Sequence, residues 1–499
     1  MPIPSERRQA GDKHHDEDIW MSKTHGIFIG GEWHEGSGTE PNANPSDTSD
    51  SVGNFAQADA SHVAAAVAAA RAAFPAWSAT TPQQRADILD RAGTEILARS
   101  AELGRLLSRE EGKTLPEGIG EVTRAGQIFK FFAMQAVRLS GETGASTRPG
   151  VSIEVTREPV GVFGLITPWN FPIAIPAWKL APALAFGNCA VLKPSEFTPA
   201  SASALVDIVS RAGVPAGVVG LVNGRGAEVG KALVESRDVD GISFTGSVAT
   251  GRGIATACAS RMARVQCEMG GKNPLVVIDD ADLEIAVNAA INGAFFSTGQ
   301  RCTASSRLIV TQDIHDRFIA KMIERLHALK IDHALKDGTD IGPVIHQAQL
   351  DKNLRYVETA SSEGGVLSHG GERLQRETKG WYMTPALITE TRNDMRINRE
   401  EVFGPVASVI RVRNYDEALA AANDTAFGLC AGLCTTSLKH AAHFRRAAQA
   451  GLVMINLPTA GLDYHLPFGG RKASSYGPRE QGEAAREFYT QGKTAYVGA

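Results

Sequence analysis

The chain is poor in cysteine, with six in 499 residues: Cys189, Cys258, Cys267, Cys302, Cys430 and Cys434. So sparse a set excludes a disulfide framework and predicts a reducing compartment, the cytoplasm. Cys430 and Cys434 have three residues between them, but no His or Cys cluster completes a zinc site nearby, so they read as buried apolar side chains and no metal is expected. No run approaches the roughly 20 apolar residues of a membrane span. The first 20 residues carry Arg7-Arg8 and His14-His15 but no apolar core of a secretory signal. A formal net charge of -4 offers no basic field for nucleic acid. No internal repeat or low-complexity linker is present, which excludes a solenoid and domains that swing on a tether.

What is present is the profile of a soluble α/β enzyme of two or three domains: 43% hydrophobic and 21% charged residues, with 51 Gly and 23 Pro spread along the chain. Residues 1–21 read as a disordered tail, and Met21 as a second candidate start. Ile27-Phe28-Ile29 and Trp33 around Gly30-Gly31 predict a hairpin. A helix from Ser61 is predicted to stop at Pro75, a second carries Ile88 to Leu97, and a third runs from Glu121 to Leu139. From Gly161, short apolar strands alternate with helices: 162–166, 189–192, 218–222 and 241–244. That pattern predicts a parallel, helix-covered sheet with a crevice at its carboxyl ends, where Trp169, Lys193 and Ser247 fall. A second α/β region starts at Asn273. Val151 to Arg157 alternates as an exposed strand would, and is predicted to pair with 492–497 in a protruding ribbon. The expected organisation is a Rossmann-like dinucleotide-binding domain (22–144 and 161–273), an α/β catalytic domain (274–484) and an oligomerisation ribbon (145–160 and 485–499).

One cysteine stands in a glycine-broken turn between a helix-like and a strand-like run, Phe295-Phe296-Ser297-Thr298-Gly299-Gln300-Arg301-Cys302. Alone this is weak evidence, because a free cysteine is more often a small buried hydrophobe. Its company is more specific. Thr167-Pro168-Trp169-Asn170-Phe171-Pro172, Leu192-Lys193-Pro194-Ser195-Glu196, Phe244-Thr245-Gly246-Ser247, Glu268-Met269-Gly270-Gly271-Lys272, Glu400-Glu401-Val402-Phe403-Gly404-Pro405 and Pro467-Phe468-Gly469-Gly470 follow in order. Together they resemble the aldehyde dehydrogenase superfamily, from about Ile27 to Val497.

The resemblance implies NAD(P)-dependent oxidation of an aldehyde to an acid in a homodimer or homotetramer. An aldehyde gives up hydride readily only after a nucleophile has added to its carbonyl, the role implied for Cys302. Asn170 and the Cys302 backbone N–H are then the oxyanion donors, and Glu268 the base that activates water against the thioester. Asn170 also reads as a turn residue, and Glu268 as a solvated loop carboxylate. The implied cofactor contacts are Thr167, Trp169, Lys193, Glu196, Gly246, Ser247, Glu401 and Phe403. Glu196 tilts the choice from NADP towards NAD, since a carboxylate accepts from a ribose 2'-OH and repels a 2'-phosphate. Gly224 to Gly230 imitates a dinucleotide fingerprint with one residue too many. Lys179 and Glu400 read as structural ion-pair partners as easily as site residues.

The segments 456–482 and 488–496 resemble the branch of the family that oxidises 2,5-dioxovalerate (α-ketoglutaric semialdehyde) to 2-oxoglutarate. The expected pocket residues are Trp178, Phe296, Arg301 and Phe468. Arginines of succinate-semialdehyde members are replaced here by Trp178 and Phe296, which leaves Arg301, the loop 459–465 and backbone donors as candidates for a distal carboxylate. Those aromatics could also clamp an apolar or aromatic aldehyde. A cysteine hydrolase is the alternative of another class, and would need a histidine beside Cys302.

Overall fold

The computed structural model describes residues 24–498, so the tail reading of 1–21, with its His pair and Met21, lies outside the described residues. Two large sheets are formed mostly from short, buried apolar strands, with more exposed strands at their edges. The first uses β1 (Ile27–Ile29), β2 (Glu32–His34), β3 (Val162–Ile166), β4 (Cys189–Lys193), β5 (Val219–Leu221), β6 (Gly241–Thr245) and β7 (Arg264–Glu268). Its order is β7-β6-β3-β4-β5-β1-β2, with Ser475–Tyr476 added antiparallel to the β7 edge. β3 to β7 run parallel. The chain leaves β3 through β4 and β5, then returns to β3's other side as β6. The order therefore reverses between β3 and β6, and a ligand crevice opens at their carboxyl ends.

The second sheet comprises β8 (Asn273–Val277), β9 (Ser305–Thr311), β10 (Ala386–Thr389), β11 (Val406–Val412), β12 (Cys430–Cys434) and β13 (Leu452–Ile455), in the order β10-β11-β9-β8-β12-β13. Val366–His369 pairs antiparallel on the β10 edge. Cys430 and Cys434 are buried at the two ends of β12. In a separate sheet, Val151–Pro159 pairs antiparallel with Thr490–Gly498, Gly492 facing Arg157. Glu142–Ala145 adds a third strand, so the ribbon is wider than the two strands expected.

Eight helices matter to the site and its supports: α1 (Ala60–Ser78), α2 (Pro82–Ala98), α3 (Ser100–Glu111), α4 (Leu115–Ala136), α5 (Ala174–Ala185), α6 (Pro199–Arg211), α7 (Val248–Ser260) and α8 (Leu283–Phe295). The predicted stop at Pro75 is not observed; α1 runs through it to Ser78. A proline forfeits one helical hydrogen bond, but Trp77 beyond it is buried and donates its indole N–H to Asn188 O at 3.1 Å. Tertiary packing outweighs the local break. α4 begins before Glu121, because Thr114 and Glu117 form a capping box that brackets Pro116 in the first turn.

Candidate active site

Cys302 is held by what precedes and follows it. α8 buries Ala286, Val287, Ala290, Ile291 and Phe295, which fixes its carboxyl end. There follows a single 3-10 turn in which Ser297, Thr298 and Gly299 all take positive φ, 51°, 56° and 63°. Left-handed backbone costs a residue with a side chain about 1–2 kcal/mol, so the turn needs support. Ser297 N and Oγ both donate to Glu117 Oε1 at 2.8 Å, Thr298 Oγ1 donates to Gly342 O, and Ile345 N donates to Gln300 Oε1. On the far side, Asn273 Nδ2 donates to Cys302 O at 2.8 Å and to Ala304 O at 3.0 Å, tying the segment to the start of β8.

Asn170, four residues past β3, is buried and donates Nδ2 to Gln300 O at 3.0 Å, two residues before the cysteine. Its own carbonyl accepts from Lys113 Nζ at 2.8 Å. Lys113 bonds Glu121 at 2.6 Å, and Glu121 Oε1 accepts the N–H groups of Ile173 and Ala174 at the start of α5. A carboxylate is well placed at a helix N-terminus. This chain of buried contacts was not foreseen, although Lys113 and Glu121 were visible as charges flanking and within an amphipathic run.

Glu268 ends β7, a strand where a loop was expected. Its Oε2 accepts from Ser475 Oγ at 2.5 Å. Burial first, then the negative Glu480, hold its carboxyl well above the usual carboxylate range. Behind it Lys179 pairs with Glu480 and donates to Ser243 Oγ at 2.8 Å, all buried, so Lys179 is part of the support. Glu400 likewise pairs with Arg396 and accepts from Tyr356. Glu401 Oε1 accepts from Gly271 N at 2.8 Å, and burial raises its carboxyl too. The Cys302 thiol is pushed up to about 12 by burial and then by the nearby Glu401 and Glu268 charges.

The crevice of the first sheet gathers the other expected residues. Thr167 and Trp169 follow β3, Lys193 ends β4, and Ser247 caps α7, accepting from Thr250 N. Lys193 is buried and pairs with the partly exposed Glu196 at 3.3 Å. Gly246 N donates to Glu268 O, joining the ends of β6 and β7. The Trp169 and Phe403 rings meet edge-on at 5.3 Å. Thr167 Oγ1 and Thr245 Oγ1, at the ends of adjacent strands, are buried with no hydrogen-bond partner among the described residues. Unsatisfied hydroxyls beside a lysine and a carboxylate fit the polar groups of a dinucleotide. Arg225 is exposed and pairs with Glu40, and the glycine-rich segment around it is a short π-helical turn.

A cavity of about 530 Å³ opens on Cys302. Trp178 and Phe468, with centroids 5.7 Å apart, form part of its wall, and Arg301 another part. Arg301 is already engaged by Glu117 and Ser297. Phe296 differs from expectation: it packs against the apolar cluster of α8 and β9, and Ser297 reaches the cavity in its place. One face of α4 contributes Glu117, Gly120, Glu121 and Arg124, a spacing of i, i+3, i+4 and i+7.

The chain thus combines two large, mainly parallel sheets with a half-buried cysteine on a cavity, and residues 33–495 match the aldehyde dehydrogenase family. The chain belongs to the aldehyde dehydrogenase family. It is 42% identical to the alpha-ketoglutaric semialdehyde dehydrogenase of Bacillus subtilis, over 96% of this chain and 99% of that one. The 2,5-dioxopentanoate dehydrogenase of Saccharolobus solfataricus is 40% identical, over 93% and 98%. Among solved structures, a betaine aldehyde dehydrogenase from Staphylococcus aureus in complex with NAD+ superimposes with a TM-score of 0.94 at 33% identity, covering 97% of each chain.

Proposed function

We propose that this chain oxidises 2,5-dioxovalerate to 2-oxoglutarate with NAD or NADP, NAD being favoured, through a thioester on Cys302. The reading is supported by Cys302 on the cavity wall, the Asn170 amide bonded to the Gln300 carbonyl two residues before it, and the buried Glu268, close enough for its charge to act on the thiol. The thiol gives its proton to solvent as its sulfur adds to the aldehyde carbon, and the carbonyl oxygen becomes an oxyanion between Asn170 Nδ2 and the Cys302 N–H. Lys113 holds the Asn170 backbone in register with the turn. A bound nicotinamide would supply the acceptor for the hydride that leaves the thiohemiacetal carbon, which turns the adduct into the thioester. Lys193 and Glu196 would hold one ribose, Glu401 the other, and Thr167, Trp169, Gly246, Ser247 and Phe403 the phosphates and ring. Glu268 then takes a proton from water, whose oxygen attacks the thioester and releases the acid, and the proton passes to the departing sulfur to restore the thiol. A base in this position supports hydrolysis over transfer of the acyl group to another thiol.

The substrate assignment is supported by the activities for which the relatives are named and by a cavity that carries arginine as well as aromatic rings. The Trp178–Phe468 pair favours, as a second reading, an apolar or aromatic aldehyde. A cysteine hydrolase is disfavoured, since no histidine lines the cavity on Cys302 among the described residues. The exposed three-stranded ribbon is the proposed contact of a homodimer or homotetramer, and the reduced cysteines fit a cytoplasmic enzyme. The test is kcat/KM for 2,5-dioxovalerate, succinate semialdehyde, glutaraldehyde and benzaldehyde, with NAD and NADP separately. Preference for 2,5-dioxovalerate with NAD is expected; preference for benzaldehyde overturns the assignment.

A further inference from the structure

Five charged side chains line the cavity on Cys302: Lys113, Glu117, Glu121, Arg124 and Arg301. Four are committed to each other and to the backbone. Lys113 is spent on Glu121 and the Asn170 carbonyl, Glu121 also on the start of α5, and Glu117 on the cysteine turn and Arg301. Arg124 alone has no hydrogen bond or ion pair among the described residues. It lies one helical turn beyond Glu121 on the same face of α4, half-buried. Burial works against its charge, and the acids that favour that charge, exposed Asp463 on the loop 459–465 and Glu121, are not within ion-pairing distance. Beside it, a Cβ added at Gly120 would meet nothing within 4 Å, so the helix leaves space for a ligand against this face.

We propose that Arg124 receives the distal carboxylate of the substrate, its unpaired guanidinium fork binding the carboxylate in the space left by Gly120 while the aldehyde end reaches Cys302. Arginine's donors match a carboxylate in a bidentate geometry, and a 2-oxo acid offers a further acceptor in the same plane. The energetic logic is asymmetric. A half-buried cation without a partner gains most from an anionic ligand, whereas Arg301 would first have to give up Glu117. This assignment rests on the reading of the substrate as an ω-oxo acid. It also locates the selectivity on α4, away from Trp178 and Phe296, where arginine is absent.

The test compares wild type, R124M and R124K on three five-carbon aldehydes: 2,5-dioxovalerate, 5-oxopentanoate and pentanal. In wild type both anions should exceed pentanal in kcat/KM. In R124M the ratio of kcat/KM for 5-oxopentanoate to that for pentanal should fall by about tenfold or more, mainly through KM, as expected for a lost charge-assisted pair. R124K should recover part of the ratio. An equal fall on all three substrates would reduce Arg124 to a structural residue, and an unchanged ratio would place the carboxylate elsewhere; either overturns the proposal. Should wild type prefer 5-oxopentanoate to 2,5-dioxovalerate while R124M still collapses the ratio to pentanal, the substrate assignment fails and the role of Arg124 stands.

Discussion

At the scale of single residues, two acids and a thiol lie close together, and burial disfavours ionisation of Cys302, Glu268 and Glu401 alike. The direction fixes the pH behaviour. A carboxyl raised above its ordinary range is protonated, and useless as a base, until pH climbs past that raised value. Steady-state turnover should therefore rise with pH over a window above the usual carboxylate range and fall as pH drops through it. Glu268→Gln should abolish that limb and stall after one turnover, leaving a pre-steady-state burst of NADH and an acyl-enzyme visible by intact mass. Cys302→Ala should give neither burst nor adduct. Full steady-state turnover in Glu268→Gln would remove its role as base.

At the scale of elements, the turn Phe296–Gly299 does more than join α8 to β9. Its three left-handed residues aim the chain so that the Gln300 carbonyl meets Asn170 and Cys302 faces the cavity. Gly299 packs against Gly404, where an added Cβ would collide with the carbonyl oxygen. Gly299→Ala combines that collision with an unfavourable φ, so a loss of about 2 kcal/mol or more is expected, read as a lower thermal midpoint together with reduced kcat. An unchanged midpoint would mean that the turn relaxes freely. Much of this scale was legible in the sequence. The strands β3 and β4 are buried, nearly continuous apolar runs, the pattern that burial on both faces leaves, and Leu452–Ile455, though only half-buried, is four apolar residues in a row and was bounded correctly. β7 was not legible: Arg264-Val265-Gln266-Cys267-Glu268 carries one polar and two charged residues, and the partners of Gln266 and Glu268, namely Ser243, Pro478 and Ser475, lie far away in sequence. Phe296 was misjudged for a related reason, since the sharp turn after it reverses which neighbour faces the cavity. Arg124 was passed over because its value lies in lacking a partner, which no single sequence displays.

At the scale of the whole molecule, the ribbon exposes Tyr496 and Val497 on a strand that has one neighbour, Val151–Pro159. Apolar side chains on an exposed sheet edge favour pairing with another copy. Val497→Glu combined with Tyr496→Glu should shift the enzyme to smaller species in sedimentation velocity; an unaltered sedimentation coefficient would place the contact between copies on another surface.

The hydrogen bond from Ser475 to Glu268 has a further consequence for how such enzymes can be recombined. Ser475–Tyr476 leaves the second sheet's half of the chain and completes the edge of the first, while Lys179 in α5 reaches Glu480 just beyond it. The part of the protein that carries Glu268 is thus written in two distant stretches of the gene. A chimera that exchanges residues up to Lys272 between relatives would import the base without its own Ser475 and Glu480. The transferable cassette is discontinuous, and a graft keeps the proton-handling of its donor only when both stretches travel together.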